Sequence, residues 1–552
     1  MGFFLSPQVA VSEKDLSVSV PAVSTSVTGM VGQFQWGPCF QRTLVTQDSE
    51  LESMFYQPND LTYEHWWSAW NFLQYSNQLQ LVRAVDTAVA ENAGAEIADS
   101  TDDGAPVEIV DYIGNSDNAD NYSPSFSADV KWQIFAKYPG LRGNDIKVAI
   151  ANYTDYDTES IVSGTLFSAE FDYGPADATE VAICVMDGGN DDEIVEKWIV
   201  SLTAGAKSFD NSNYYCEDLI NGSSKYILLY DDVANTDVPA SQIGTALTGG
   251  LDGAPAVGDM TTGYDLFENK EEVDVSMIID GANNDAVTQA YIADNITDVR
   301  LDCVGIFTVP KADVVGVASV STAVTNMLTY VGTTLNKSTS WNSLYGNWKY
   351  QYDTYADKYR WIPLSGDIAG ITAQTHYTRD PWFAPAFYNR GKIKNCVKLA
   401  VNPKLAYRDQ LYQANINPVV TSKGDGHIVM GQKTLLTTPS SFNRLDVRWL
   451  FLVIEKAIAV SAKFFIGEKN TAFTRRQFKG LVEPYLRDIQ GREGIQDFYV
   501  QADENVNTPE VIQRNEFRAS IYVKPTMTAE FIILEFVNVR QGVEFSEVIK
   551  KA

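Results

Sequence analysis

Few residues in this 552-residue chain have the type and spacing that chemistry requires. Adjacent carboxylates stand at Asp191-Asp192 and Glu271-Glu272, the sort of pair that glycoside hydrolysis uses as acid and base. Among 71 acidic residues such neighbours arise by chance, and a solvated acidic face accounts for them. The run from Gly426 to Thr434 resembles a phosphate loop, but a Gln between Gly431 and Lys433 shifts the lysine out of register with terminal phosphates. A structural turn is the better reading. Asp280-Gly281-Ala282-Asn283-Asn284 follows a strand-like run, yet it lacks the three-glycine spacing of a dinucleotide site. His65, His376 and His427 lie far apart, so imidazole relays are thinly supplied. Cys39, Cys184, Cys216, Cys303 and Cys396 form no CxxC pair, which fits a reducing compartment and argues against disulfides or zinc. No GxSxG elbow or HExxH helix is present. No cofactor, metal site or catalytic residue is expected, and the chain reads as something other than an enzyme.

One cluster points to an interface instead. Lys463, Lys469, Arg475, Arg476 and Lys479 sit within seventeen residues, opposed only by Glu468. Such a patch is either an ordinary charged loop or an electrostatic contact with an acidic protein surface. The chain as a whole carries net charge −29, which opposes binding to a nucleic-acid backbone. Its charge is unevenly divided: residues 1–340 hold 14 Lys and Arg against 50 Asp and Glu, whereas 341–552 hold 28 against 21. The plain reading of that split is a highly soluble acidic outer region; the sharper one is a molecule with two electrostatic ends, the basic end facing an acidic partner.

The elements that must carry these residues read as a multidomain mixed α/β chain. Length predicts roughly three to four domains. Residues 1–22 read as an extended arm, with Val9, Val11, Val18 and Val20 alternating with polar neighbours before Pro21; such an arm either packs on its own domain, the commoner case, or adds a strand to a neighbour. Residues 23–87 read as a compact α/β piece: a strand near Ala22–Val31, a helix near Tyr63–Gln78 with Trp66, Trp70 and Leu73 on one face, and a buried strand from Leu79 to Val85. Residues 88–130 are rich in Asp, Asn, Ser, Gly and Ala and read as an exposed small insertion or loop-rich module. Residues 131–340 read as an acidic α/β domain, 341–400 as a return to aromatic and basic composition, and 401–552 as a C-terminal domain. There, Phe442–Phe465 predicts a long helix with a stripe of Leu445, Trp449, Leu452, Val453, Val460 and Phe464. Phe478, Leu481, Val482, Tyr485, Leu486 and Ile489 predict a second helix, and Glu530–Val539 a strand buried on both faces. The longest apolar stretch, Trp449 to Ile466, is interrupted by Glu455, Lys456 and Lys463, so no membrane span is expected.

Several short segments, taken together and in order, resemble the tail sheath proteins of contractile-tailed bacteriophages, most closely the large-myovirus type. They are Leu5-Ser6-Pro7-Gln8-Val9; Phe34-Gln35-Trp36-Gly37-Pro38; Val82-Arg83-Ala84-Val85-Asp86; Tyr350-Gln351-Tyr352-Asp353; Trp361-Ile362-Pro363-Leu364-Ser365-Gly366-Asp367; Ile416-Asn417-Pro418; Ala472-Phe473-Thr474-Arg475; Asn507-Thr508-Pro509; and Arg514-Asn515-Glu516-Phe517. The resemblance implies inner α/β domains formed from both chain ends, acidic insertion domains in the middle, and terminal arms. It implies a virion subunit, assembled in the host cytoplasm, that stacks as hexameric rings around a tail tube and contracts. Its partners would be itself, the tube protein, and baseplate and tail terminator proteins, with no nucleic acid and no membrane insertion. The arms would exchange strands between subunits through Val9, Val11, Val18 and Val20 at one end and Phe531, Ile533, Val537 and Val539 at the other. The basic cluster would contact the tube. Competing readings are a tail-associated hydrolase, the sheath of a non-phage contractile injection system, and a ring protein that never contracts.

Overall fold

A computed structural model describes residues 25–101 and 106–530. The chain divides into two compact units: Pro21–Ala459, and Met1–Val20 together with Val460–Ala552.

The first unit is built on a seven-stranded sheet in the order Thr43–Val45, Leu79–Arg83, Thr28–Gly32, Met277–Ile279, Val304–Thr308, Asn342–Tyr345 and Ile416–Asn417. Every pairing is parallel except the first, which is antiparallel. A parallel sheet must be covered on both faces, and these strands accordingly read as continuous apolar runs. Successive side chains point to opposite faces, so Met30 enters one core and Val31 the other. Helices Tyr63–Leu73 and Ser365–Thr378 cover the first face with Trp66, Phe72, Ile368 and Ile371. Helices Val257–Asp265 and Val320–Thr329 cover the second with Met260, Tyr264, Val324 and Met327. The two helices on the first face approach so closely that a Cβ on Gly366 would stand 2.1 Å from the Ser68 carbonyl.

Strands Thr28–Gly32 and Met277–Ile279 are neighbours although more than 240 residues separate them. Much of the intervening chain forms two four-stranded antiparallel sheets. One contains Asn92–Ala98, Val107–Asp111, Val130–Ala136 and Ile227–Asp231; the other contains Ile146–Asn152, Glu180–Asp187, Glu193–Ser201 and Gln242–Ala246. They share a core in which Ile97, Trp132 and Ile134 meet Ile150, Ile183 and Val185. This corrects two expectations. The stretch 88–130, read as loop-rich, supplies two strands, and the α/β pattern read across 131–340 is an antiparallel double sheet that ends near residue 251. From Val257 the chain is back in the central fold. The insertion leaves and returns at one place, where Asp86 N donates to the Gly253 carbonyl at 3.2 Å and Glu91 bridges Leu251. Arg83 fastens that junction. Its buried guanidinium donates to the carbonyls of Phe34 (2.9 Å), Gly37 (2.9 Å) and Pro139 (2.7 Å), the last belonging to the insertion. Residues 88–252 carry 7 Lys and Arg against 30 Asp and Glu, so most of the net charge resides there.

The helix expected over 442–465 runs from Leu445 to Ala462, followed by a single tight turn at Lys463–Phe465. Leu445, Trp449, Leu452 and Val453 are buried as expected. Val460 and Phe464 are instead 40% and 74% exposed, so the apolar stripe does not continue inward to the end of the helix.

Candidate interaction surface of the C-terminal unit

The residues that suggested catalysis are dispersed and structurally engaged. Asp191 and Asp192 both sit at positive φ in a turn between strands, and Asp192 pairs with Lys147 at 2.6 Å. Glu271 and Glu272 are exposed in a turn. Lys433 of the loop-like run donates to the Tyr412 carbonyl at 2.6 Å. Asp280 lies at the carboxyl end of a central strand, where α/β sheets place ligands. That spot is filled by protein: one Asp280 oxygen accepts from Thr308 N (2.8 Å), Gln289 (2.8 Å) and Asn284 (3.0 Å). Burial pushes its carboxyl up to about 7. Among the described residues no group of three or more His, Cys, Asp or Glu could hold a metal ion.

The basic cluster lies at the start of the second unit, whose described part is residues 460–530. Its framework is helix Ala472–Gly491 and the antiparallel hairpin Ile495–Gln501 with Ser520–Pro525. Thr471 caps the helix, its side chain accepting from Thr474 N. Phe478, Val482, Leu486 and Ile489 form the buried stripe of a helix that packs beside strand Ile495–Gln501, where Ile495 and Val500 are also buried. Pro484 sits inside the helix, where it removes one backbone donor.

The five cations have different surroundings. Lys463 and Lys469 are exposed on the connection before the helix, and Arg476 is exposed on its first turns. Lys479 is half-buried, 3.4 Å from Glu483 and over the Tyr499 ring. Arg475 turns inward: it is 9% exposed, and its Nε donates to Asn470 at 2.9 Å. Asn470 in turn donates to Asn507 (3.0 Å) and to the Glu516 carbonyl (2.8 Å). Asn507 donates to the Arg518 carbonyl at 2.7 Å. Three short segments distant in sequence, around 470–475, 507–509 and 514–518, thus converge on one hydrogen-bonded knot. Arg514 and Arg518 flank Glu516 there and hold its carboxyl below the usual carboxylate range. Phe464, Ile466 and Phe473, at 74%, 82% and 64% exposure, are interleaved with the cations. Sequence reasoning missed this apolar component because it placed Phe464 in the core. The signal available was the Phe464-Phe465-Ile466-Gly467 run, with Gly467 at positive φ.

Between the helix and the hairpin lies a cavity of about 500 Å³, with Arg476 and Lys479 on the helix side and Tyr499, Gln501 and Asp503 on the other. The hairpin is a two-stranded sheet among the described residues, so the outer edge of each strand carries no further strand. An isolated two-stranded ladder is marginal in water, and its open edges are templates for another chain. The candidate strand-exchange residues, Val9, Val11, Val18, Val20, Phe531, Ile533, Val537 and Val539, lie outside the described residues.

Comparison with known proteins agrees with this architecture. A family model described as the phage tail sheath protein central domain matches residues 253–435, starting where the chain returns from the insertion. A second, the phage tail sheath C-terminal domain, matches residues 437–538. The chain is 31% identical to the tail sheath protein of Vibrio phage KVP40, covering 99% of both chains. It is 32% identical to that of Enterobacteria phage T4, covering 98% of this chain and 99% of that one. Among solved structures, the sheath tail protein of Desulfitobacterium hafniense shares the fold at 14% identity and TM-score 0.54, covering 90% of this chain and 94% of that one. The sheath tail protein of Listeria innocua does so at 11% identity and TM-score 0.55, covering 92% and 97%.

Proposed function

The chain belongs to the tail sheath protein family of contractile phage tails, and from that premise we propose that it polymerises as stacked hexameric rings around a tail tube and contracts to drive the tube through the host envelope. The observation that carries the proposal is the half-built hairpin of the C-terminal unit. Each open edge can accept a strand from a neighbouring subunit, and each added backbone hydrogen bond contributes roughly 0.5–1.5 kcal/mol net. The arms around Val9–Val20 and Phe531–Val543 supply apolar segments suited to that pairing. Strand exchange through flexible connections lets subunits rotate and slide without parting.

The exposed cations Lys463, Lys469 and Arg476, with Lys479 beside them, are the proposed contact with an acidic tube surface; Arg475 positions the loop that presents them. Baseplate and terminator proteins would bound the polymer, which forms in the host cytoplasm and becomes part of the virion. The energy of contraction resides in the assembled polymer as a kinetically trapped state. Burial of a further ~1,000 Å² of apolar surface per subunit would offer up to about 25 kcal/mol before costs.

Electron microscopy of the purified full chain over a range of concentrations tests this. Tubes with six-fold rings, alone or after purified tail tubes are added, are the expected result. Monomers under both conditions would overturn it. Reversal of charge at Arg476 and Lys479 should abolish assembly on tubes and leave the thermal midpoint unchanged; normal tube binding by that variant removes the contact assignment.

A further inference from the structure

Lys131 and Asp231 form a buried ion pair in the double sheet, a part of the molecule to which the sheath reading assigns no chemistry. Lys131 is the second residue of strand Val130–Ala136 and Asp231 the last of strand Ile227–Asp231. The two strands pair antiparallel, with Asp231 opposite Trp132. Lys131 Nζ is 3.0 Å from Asp231 Oδ1, and the two side chains are 4% and 1% exposed. Nζ also donates to the backbone carbonyls of Asp232 (3.0 Å) and Asn235 (2.7 Å). Both carboxyl oxygens of Asp231 accept from neutral groups: Trp132 Nε1 donates to Oδ1 at 2.9 Å, and the Tyr215 hydroxyl donates to Oδ2 at 3.0 Å. A second carboxyl lies alongside. Glu217 Oε2 accepts from Asp231 N at 3.4 Å, and burial holds the Glu217 carboxyl above the usual carboxylate range. Trp132, Tyr215 and Cys216 belong to the core that the two sheets share, so the pair is shut off from water.

Two charges in a dry core carry a desolvation cost that their attraction only partly offsets. Transfer of one proton within the pair turns them into an amine and a carboxylic acid. A neutral amine has two N–H bonds and one lone pair. The carbonyls of Asp232 and Asn235 take the two N–H bonds, and the lone pair is left for Asp231. We propose that Lys131 and Asp231 condense to an amide, a covalent crosslink that the double sheet makes within itself. The Nζ lone pair attacks Asp231 Cγ, and the Tyr215 hydroxyl and Trp132 indole steady the oxygens as charge develops on them. One C–O bond then breaks and its oxygen departs as water. Of the two protons in that water, one is the acid's own and one comes from Nζ, carried by Glu217. Ammonium and carboxylate become neutral amide and water, so the step needs no oxidant, cofactor or activated precursor. Two strands of one sheet hold the reacting groups in contact, which replaces a bimolecular encounter by an intramolecular one. The bond closes a ring of about 100 residues. It requires only the folded insertion and does not depend on the sheath reading.

Intact-mass spectrometry of the full chain, purified folded and then denatured, tests this. The chain should be one water lighter than its sequence requires. Proteolysis should release one branched peptide that joins the segment containing Lys131 to the segment containing Asp231. Lys131→Arg and Asp231→Ala should each restore the full mass. Because each of these variants removes one partner of a buried pair and can misfold, the parent decides alone. A folded parent at its full sequence mass after prolonged incubation, or one whose loss of water maps elsewhere, overturns the proposal. Glu217→Gln separates proton transfer from packing. It should keep the far-UV dichroism of the parent and stay at full mass, and Glu217→Asp should recover part of the loss. A Glu217→Gln chain that loses water as fast as the parent removes Glu217 from the reaction.

Discussion

At the scale of single residues, two buried charges decide the most. Arg83 holds a turn of the core and a carbonyl of the insertion at once, with no carboxylate beside it in the hydrogen-bond set. Arg83→Met would leave those carbonyls buried and unpaired, and should cost about 3–5 kcal/mol, read as a fall in the urea or thermal midpoint. Asp280 acts through pH. Burial raises its carboxyl from an ordinary 3.8 to about 7, so its contribution is full below the unfolded value and is lost as pH rises through the folded one. Between pH 5 and pH 8 the parent should therefore lose thermal stability relative to Asp280→Asn. His65 and His376 act in the opposite sense: burial lowers both from 6.5 to about 4, so the stability tied to their neutral forms is full above 6.5 and is lost as pH falls from there towards 4. The histidines are common to both proteins, so a difference in thermal midpoint between parent and Asp280→Asn that is flat from pH 5 to 8 would contradict the Asp280 assignment.

At the scale of elements, the closest contact is the one at Gly366. A methyl there meets backbone, not a side chain that could move aside, so Gly366→Ala must push helix Ser365–Thr378 from helix Tyr63–Leu73. The expected loss is about 1–3 kcal/mol, visible as a lowered melting midpoint with far-UV dichroism retained. How much was legible in the sequence differs by element for physical reasons. The strand Leu79–Arg83 and the helix over 472–491 were readable because each has one burial pattern along its whole length. The double sheet was misread because strands such as Glu180–Asp187 are buried on both faces. Ala182, Cys184 and Met186 pack outward around Phe167, while Ile183 and Val185 pack inward, so the alternation that marks an antiparallel strand is lost. In the basic cluster, charge was legible and direction was not. Nothing local to Arg475 announces that Asn470 will turn it inward, because Asn470 is held by residues 37 and 46 positions away.

At the scale of the whole molecule, charge and fold separate at the junction of Asp86 and Gly253. Replacing 88–252 with a short Gly-rich turn removes a net −23 and takes the formal charge from −29 to −6. The central sheet keeps all its strands, since none comes from the removed segment. The shortened chain should therefore fold, with a marked fall in anodic mobility on native gels. It should also show red-shifted tryptophan emission, because Trp36 packs into the core of the double sheet. A shortened chain that is unfolded by circular dichroism would show that the insertion is required for the central fold.

That junction also has a mechanical reading. The outgoing and returning chains lie side by side, joined by rungs at Asp86–Gly253 and Glu91–Leu251. A pull on the far end of the double sheet would load these rungs one after another, as a zipper opens, whereas a pull along the strands of the central sheet would load many bonds at once. The insertion should therefore give first when its far end is pulled, at a force well below the one that shears the central sheet, and a single-molecule pulling trace should show two separate rips, the smaller one first.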